Sequence, residues 1–173
     1  MTVIGTRSDG RGAMAPGHRG LRLRLLATSD LHAHLLPFNY FADRPDHAVG
    51  LSGLAGLIQR ARAACPNTLL FDNGDTLQGA PLADAALTDL MPRGEAHPMI
   101  AVMNALGYDA ATLGNHDFDF GLGPLHQALS VARYPVVLAN LDWIAADPGP
   151  VQRRKILERM LTDASGARHL LRI

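Results

Sequence analysis

Cysteine is almost absent from this sequence of 173 residues, since Cys65 is the single one. A lone cysteine excludes an intrachain disulfide and a metal site built from several thiolates. Because Cys65 follows a helical pattern, we predict that it packs as a small apolar side chain at the end of that helix.

A surplus of charge of either sign is also absent. Sixteen lysines and arginines balance sixteen aspartates and glutamates, so the formal net charge at pH 7 is zero. This balance argues against a broad basic surface that would bind a nucleic-acid polymer, but it leaves room for a compact phosphate site.

Apolar runs of membrane-spanning length are missing too, which argues against contact with a membrane. The first twenty residues are rich in glycine and arginine and contain no apolar core of a secretory signal. We therefore predict a flexible tail over residues 1–20 and, from the encoded sequence, a cytoplasmic protein. A hydrophobic content of 47% suits one folded domain over residues 21–173.

What the sequence does contain is an alternation of apolar strands and amphipathic helices. In the first helix, Ser52 is the expected cap and Leu57 belongs to the expected apolar stripe. The order predicts an α/β fold with parallel strands and right-handed crossover helices. Strand patterns cover residues 21–30, 66–75, 109–114 and 134–141, and helix patterns cover residues 52–65, 97–107 and 123–133.

The last segment, "RRKILERMLTDASGARHLLRI", fits two structures. Ile156, Leu157, Met160 and Leu161 would share one face of a helix, whereas "TDASGAR" reads as a turn between two short apolar runs. We favour a C-terminal β-hairpin.

Side chains that can hold a metal ion follow three of the predicted strands. "SDLHAH" contains Asp30 and His32, "DNGD" contains Asp72 and Asp75, and "GNHDFD" contains an amide, an imidazole and two carboxylates. Each cluster by itself is more typical of a turn than of a metal site. Because ligands collect beyond the carboxyl ends of parallel strands, the three clusters together predict one shared site.

The order "SDLHAH … NGDTLQG … GNHDFDFG" resembles the calcineurin-like phosphoesterases. Within them the chain is similar to the family of 5′-nucleotidases and 2′,3′-cyclic-nucleotide 2′-phosphodiesterase/3′-nucleotidases. The flanking stretches "PFNYFAD" and "AHPMIAVMNALGYDAATLGNHDFDFG" are nearer to the cyclic-nucleotide branch. The resemblance implies a four-layer α/β/β/α sandwich with two divalent metal ions of the zinc, manganese, iron or cobalt type.

The resemblance also implies a role for six residues. Asp30 and His32 would bind the first metal ion, Asp75 would bridge both ions, and Asn115 would bind the second. His116 and Asp119 would form a catalytic pair beside the phosphate. The implied reaction is hydrolysis of a small nucleotide substrate by a water molecule that two metal ions activate.

Two alternatives stay open at this point. The chain could have the phosphomonoesterase activity of a 5′-nucleotidase, or it could be a catalytically incompetent fragment with half of the dimetal site. The family also uses later histidines, an isolated one and a His-x-His pair, which this sequence lacks. Residues 21–173 thus resemble the N-terminal part of a metallophosphoesterase domain, truncated before those motifs. A missing C-terminal half of the same protein would be its partner, and the family would place it in the periplasm.

The remaining polar residues near these motifs have simpler expected roles. We expect Asp117 to be a solvated loop carboxylate or a helix cap, and Asp72 to be a turn residue or a partner of the metal ligands. His97 is expected at a helix start, His126 on an exposed helix face, and His169 without a partner.

Overall fold

The computed structural model describes residues 21–141 and 148–173. The predicted tail over residues 1–20 lies outside the described residues, as do residues 142–147 at the Pro/Gly-rich break.

The predicted strands and helices occur in the predicted order, and the structure adds three short strands and a short helix that the sequence patterns did not indicate. A π-helical turn, Ala86–Leu90, continues the second helix, and 3-10 turns follow at Met91–Arg93 and His116–Phe118. The α-helices are α1 (Leu51–Ala64), α2 (Pro81–Ala85), α3 (Pro98–Leu106) and α4 (Leu122–Leu129). The strands are β1 (Arg24–Thr28), β2 (Phe38–Asn39), β3 (Arg44–Pro45), β4 (Thr68–Asp72), β5 (Ala110–Ala111), β6 (Val136–Val137), β7 (Val151–Gln152), β8 (Glu158–Thr162) and β9 (Arg168–Arg172).

The central element is a five-stranded sheet in the order β1-β4-β5-β6-β7, in which every neighbouring pair is parallel. This confirms the α/β prediction. The register pairs Thr28 with Asp72 and Asp72 with Ala111, so the carboxyl ends of β1, β4 and β5 lie side by side. The three polar clusters therefore leave the sheet at the same edge.

Helix α1 differs from the predicted pattern in two places. It begins at Leu51 with Gly50 as its N-cap, so Ser52 lies inside the first turn and does not cap the helix. Gly50 has a φ of 97°, and a Cβ there would lie 2.5 Å from the backbone of Leu36, so this close approach requires glycine. Leu54 and Ile58 are buried as predicted, but Leu57 is 52% exposed because it lies outside the packed stripe.

The C-terminal segment forms the favoured hairpin, and the helical alternative is wrong. β8 and β9 pair antiparallel, and the side chain of Asn67 joins the hairpin to the start of β4 through two bonds to the backbone of Thr162, of 2.7 and 2.8 Å. His169, for which no partner was expected, lies 3.0 Å from Asp163, because the hairpin brings the two together. Cys65 is buried as predicted, at the C-cap of α1.

Two other histidines illustrate how packing decides exposure. The ring of His126 is not on an open helix face: it is half-buried against Gly149, where a Cβ would lie 2.6 Å from the imidazole. His97 begins α3 as predicted, and its Nδ1 accepts the N–H of Met99 at 3.3 Å. No helix among residues 21–141 and 148–173 is long and apolar enough to cross a membrane.

Burial of His97 makes the fold sensitive to acid. Burial is the main cause that lowers the pKa of His97 from 6.5 to about 4, and a hydrogen bond to the backbone of Leu77 acts in the opposite direction. Between these two values the unfolded chain binds a proton that the folded chain excludes, so stability falls as the pH falls from about 6.5 to about 4.

When the pH falls from 7.5 to 5, we therefore expect the free energy of unfolding of the wild type to fall by about 2 kcal/mol more than that of His97→Asn. Asparagine keeps an acceptor for the N–H of Met99 but does not titrate. Urea unfolding of both proteins at the two pH values measures the difference. An equal pH dependence in the two proteins would contradict the assignment.

Candidate metal centre

Three loops build the site, and each follows one of the adjacent strands β1, β4 and β5. The structure brings one ligand atom each of Asp30, His32 and Asp75 within 4.8 Å of one another. Asp30 is exposed, and the other two are half-buried. His32 Nε2 lies 3.8 Å from Asp30 Oδ1. Two carboxylates and an imidazole in this arrangement suit a divalent ion of the zinc or manganese type.

The ring of His32 is oriented for this purpose. Its Nδ1 lies 2.9 Å from the carbonyl oxygen of Gln78, to which it donates, so Nε2 keeps its lone pair and faces Asp30. Gly79 makes the approach possible, because a Cβ at this position would lie 2.6 Å from the Cβ of His32. The loop is thus shaped around an imidazole that presents Nε2 to an ion.

All three candidate ligands have a left-handed backbone, which side chains other than glycine rarely adopt. The φ angles are 56° at Asp30, 48° at His32 and 55° at Asp75. Such residues cost on the order of 1–3 kcal/mol each and persist only when their surroundings hold them. Here the N–H of Asp30 donates to Gly74 at 3.0 Å and that of His32 donates to the carbonyl of Asp75 at 2.8 Å.

The loop after β5 touches the same centre. The backbone N–H of His116 donates to Asp75 Oδ1 at 2.9 Å, which places the neighbouring Asn115, an exposed residue, beside this carboxylate. Gly114 permits the contact, because a Cβ there would lie 2.2 Å from Asp75 Oδ1. Asp75 is therefore the carboxylate that both flanking loops approach.

His116 and Asp119 form a pair at the mouth of the site. His116 Nδ1 lies 2.8 Å from Asp119 Oδ2, and both side chains are nearly half exposed. The hydrogen bond that His116 donates to Asp119 is the main cause that raises the pKa of His116 above 6.5. The His116 ring meets that of His32 edge to face at a centroid distance of 5.3 Å. The His116 ring thus lies next to the candidate ligand His32.

Asp117 corrects the expectation of a solvated loop carboxylate or helix cap. Its side chain is 5% exposed and accepts four backbone N–H groups: Asp75 and Leu77 at 2.8 Å, and Thr76 and Gly114 at 2.9 Å. Burial is the main cause that raises the pKa of Asp117, and the four N–H donors act against it. This carboxylate joins the loop after β4 to the loop after β5.

A signal for this role was present in the sequence. Asp117 lies between Asn115 and two phenylalanines, Phe118 and Phe120, which pack against the core as expected of anchors. Because these anchors hold the loop against the core, a neighbouring carboxylate can be buried with the N–H groups of the adjoining turn, as Asp117 is, although Asp119, between the two rings, stays exposed.

Asp72 is a second buried carboxylate below the site, at 4% exposure. It accepts the hydroxyls of Thr28 at 2.5 Å and Thr76 at 2.6 Å and the N–H of Gly74 at 3.1 Å. Burial is the main cause that raises the pKa of Asp72 to about 6. Its bonds join the end of β1 to the turn that contains Asp75.

We expect Asp117→Ala to lower the free energy of unfolding by more than about 3 kcal/mol, because four buried N–H groups lose their acceptor. Urea unfolding followed by circular dichroism measures the loss. Asp119→Asn is the control, because this carboxylate is exposed and its hydrogen bond is to the exposed His116. Its free energy of unfolding should stay within about 0.5 kcal/mol of that of the wild type. Wild-type stability of Asp117→Ala would rule out the joining role.

Comparison with known proteins agrees with this geometry. The family model for calcineurin-like phosphoesterases matches residues 23–157. This chain belongs to the calcineurin-like phosphoesterase family. It is 37% identical over 172 residues to the 2′,3′-cyclic-nucleotide 2′-phosphodiesterase/3′-nucleotidase of Haemophilus influenzae. The match covers 99% of this chain and 26% of that relative. It is 34% identical over 131 residues to the 5′-nucleotidase of Bos taurus, with 73% of the chain and 21% of the relative covered.

The fold has a solved counterpart in the family. The crystal structure of the calcineurin-like phosphoesterase YfkN from Bacillus subtilis superposes with a TM-score of 0.80 at 39% identity, covering 88% of this chain and 46% of that one. The 173-residue chain spans only about a quarter of the length of the H. influenzae relative.

Proposed function

We propose that this chain supplies metal ligands and a proton-handling pair for the hydrolysis of nucleotide phosphoesters, of the 2′,3′-cyclic-nucleotide 2′-phosphodiesterase/3′-nucleotidase type. The observation that carries the proposal is the convergence of ligand atoms of Asp30, His32 and Asp75 within 4.8 Å, with the backbone N–H of His116 bonded to Asp75 and the His116 ring bonded to Asp119.

The residues fit a centre for two divalent ions. Asp30 and His32 would hold the first ion, Asn115 the second, and Asp75 both, because its carboxylate lies near Asp30 and His32 on one side and accepts the N–H of His116 on the other. When bound, such ions supply positive charge that polarises a phosphoryl oxygen and activates water. Two ions about 3.5–4 Å apart repel each other, so an anionic ligand between them is needed. The exposed Asn115 completes the set with a neutral oxygen donor.

His116 would act on the phosphate rather than on an ion. Its bond to Asp119 fixes the ring and raises its pKa, so the imidazole takes up a proton more readily than a free histidine does. A protonated ring at the open side of the site can stabilise charge on the phosphoryl oxygens or donate to the leaving oxygen. Asp119 would hold the tautomer, as the carboxylate partner of an imidazole does elsewhere.

The comparisons support the cyclic-nucleotide type over the 5′-nucleotidase type. The H. influenzae relative matches nearly the whole chain, whereas the bovine 5′-nucleotidase matches 73% of it. The second candidate nevertheless rests on an identity of 34% over 131 residues. Hydrolysis of a nucleoside 5′-monophosphate is therefore the alternative to be tested.

We expect the 173-residue chain to bind about one Mn²⁺ ion, because Asp30, His32 and Asp75 offer three ligands for one ion. Asp75→Asn should abolish this binding, because it removes one of the two carboxylates of this set. Isothermal calorimetry measures stoichiometry and affinity. Asp84→Asn, at an exposed residue of α2, is the matched control and should bind as wild type does. Unchanged binding by Asp75→Asn would remove this residue from the site.

Activity is tested in a hybrid protein that joins residues 1–173 to the remaining part of the H. influenzae relative. We expect His116→Ala in this hybrid to lower kcat for 2′,3′-cyclic AMP by about 10²–10⁴-fold while metal content stays constant. The exposed His47→Ala is the control. Phosphate release and metal analysis are measured together.

A hybrid that is folded and loaded with metal but inactive would overturn the proposed function. Activity confined to a second hybrid, made with the remaining part of the bovine 5′-nucleotidase, would favour the alternative. Loss of metal from His116→Ala would make His116 a ligand instead of a proton donor.

A further inference from the structure

Thr76 occupies an unusual place in the site, because each of its polar groups bonds to a different segment. It is 5% exposed and follows Asp75 directly. Its N–H donates to Asp117 at 2.9 Å, its carbonyl accepts the N–H of Ala33 at 2.9 Å, and its hydroxyl donates to Asp72 Oδ1 at 2.6 Å. One residue thus contacts the loops after β1 and β5 and the end of β4.

The hydroxyl is the one of these groups that belongs to the side chain. Asp72, its acceptor, also takes the hydroxyl of Thr28 at 2.5 Å. Thr28 is the last residue of β1, two positions before Asp30. A chain of side-chain hydrogen bonds therefore runs from the end of β1 through Asp72 to the residue after Asp75, and it crosses between the two loops that carry the candidate ligands.

This chain of bonds lies below a backbone that is strained on both sides. Asp30, His32 and Asp75 are all in the left-handed region, so their positions depend on contacts outside their own residues. The backbone bonds between the loops set their register. Asp72, bonded to both threonines, is a side-chain link between the same two segments.

We propose that the Thr76 hydroxyl is a positioning group for metal binding, which acts through Asp72 to set the spacing between Asp75 and the pair of Asp30 and His32. The inference rests on the proposed function of the site as a metal centre. Thr76 is not a catalytic residue, since its polar groups are all directed to protein atoms. Groups that orient metal ligands in this way commonly change metal affinity 10–100-fold when removed.

Thr68, at the other end of β4 from the loop that contains Thr76, offers a matched control. It is buried at the start of β4, and its hydroxyl donates to the carbonyl of Cys65 at 2.5 Å, at the end of the strand opposite to the site. Thr68→Val and Thr76→Val each remove one buried hydroxyl at nearly constant volume. A general loss of stability affects both variants, whereas a loss of ligand spacing affects only Thr76→Val.

The first test is titration of the 173-residue chain with Mn²⁺ by calorimetry. We expect Thr76→Val to raise the Kd for Mn²⁺ about 10–100-fold. Thr76→Ser keeps a hydroxyl that can donate to Asp72, so its Kd should stay within about 3-fold of the wild-type value. Thr68→Val should leave the Kd unchanged. Urea unfolding of each variant shows whether stability losses match. Equal Kd values for Thr76→Val and wild type, or equal shifts in the two valine variants, would overturn the proposal.

The second test needs no metal. Hydrogen exchange measured by nuclear magnetic resonance reports on the amides of Asp30, His32 and Ala33, which bond to the loop after β4. We expect these amides to exchange faster in Thr76→Val than in Thr68→Val of equal global stability. Equal exchange would contradict the positioning role. Failure of the wild type to bind Mn²⁺ would instead count against the proposed function, and exchange alone would then decide the role of Thr76.

Discussion

Four backbone N–H groups converge on one buried carboxylate, that of Asp117, and the candidate metal centre depends on this convergence. Three of the donors belong to consecutive residues, Asp75 to Leu77, and the fourth is Gly114 on the neighbouring loop. The bonds satisfy donors that burial would otherwise leave without water. They also hold the loop that carries Asn115 and His116 against Asp75.

The three loops around the site store backbone strain, and buried carboxylates compensate for it. Asp30, His32 and Asp75 each adopt a left-handed conformation. The buried Asp72 and Asp117 both bond to the turn around Asp75. Burial raises the pKa of both carboxylates, so the protein accepts an electrostatic cost below the site. What it gains is a fixed arrangement of ligands before any ion arrives.

The chemistry of the site follows from how differently its two histidines are held. His32 is half-buried, and its Nδ1 bonds to a backbone carbonyl, so Nε2 is the ring nitrogen directed towards Asp30. His116 is nearly half exposed and bonds to a carboxylate, which favours a proton on the ring. Partner and exposure therefore distinguish the ligand role proposed for His32 from the proton-donor role proposed for His116, although the two rings lie 5.3 Å apart.

The sequence by itself determined the order of the elements and the chemistry at their ends. Hydrophobic periodicity identified four strands of the parallel sheet and the three longer helices, and the turn residues in "TDASGAR" favoured the hairpin that the structure contains. These features are local, because periodicity and turn preference act over a few residues. The order of the three polar motifs was likewise enough to indicate the family, which the match over residues 23–157 confirms.

Tertiary structure alone decided which polar groups are buried and what they hold. Asp117 bonds to residues about forty positions away, and the three polar groups of Thr76 bond to three segments of the chain. Leu57 and His126 also departed from expectation, since their exposure depends on which neighbour packs against them. The physical reason is the same in each case: burial and hydrogen bonding across the fold are set by chain segments that meet only when the sheet forms.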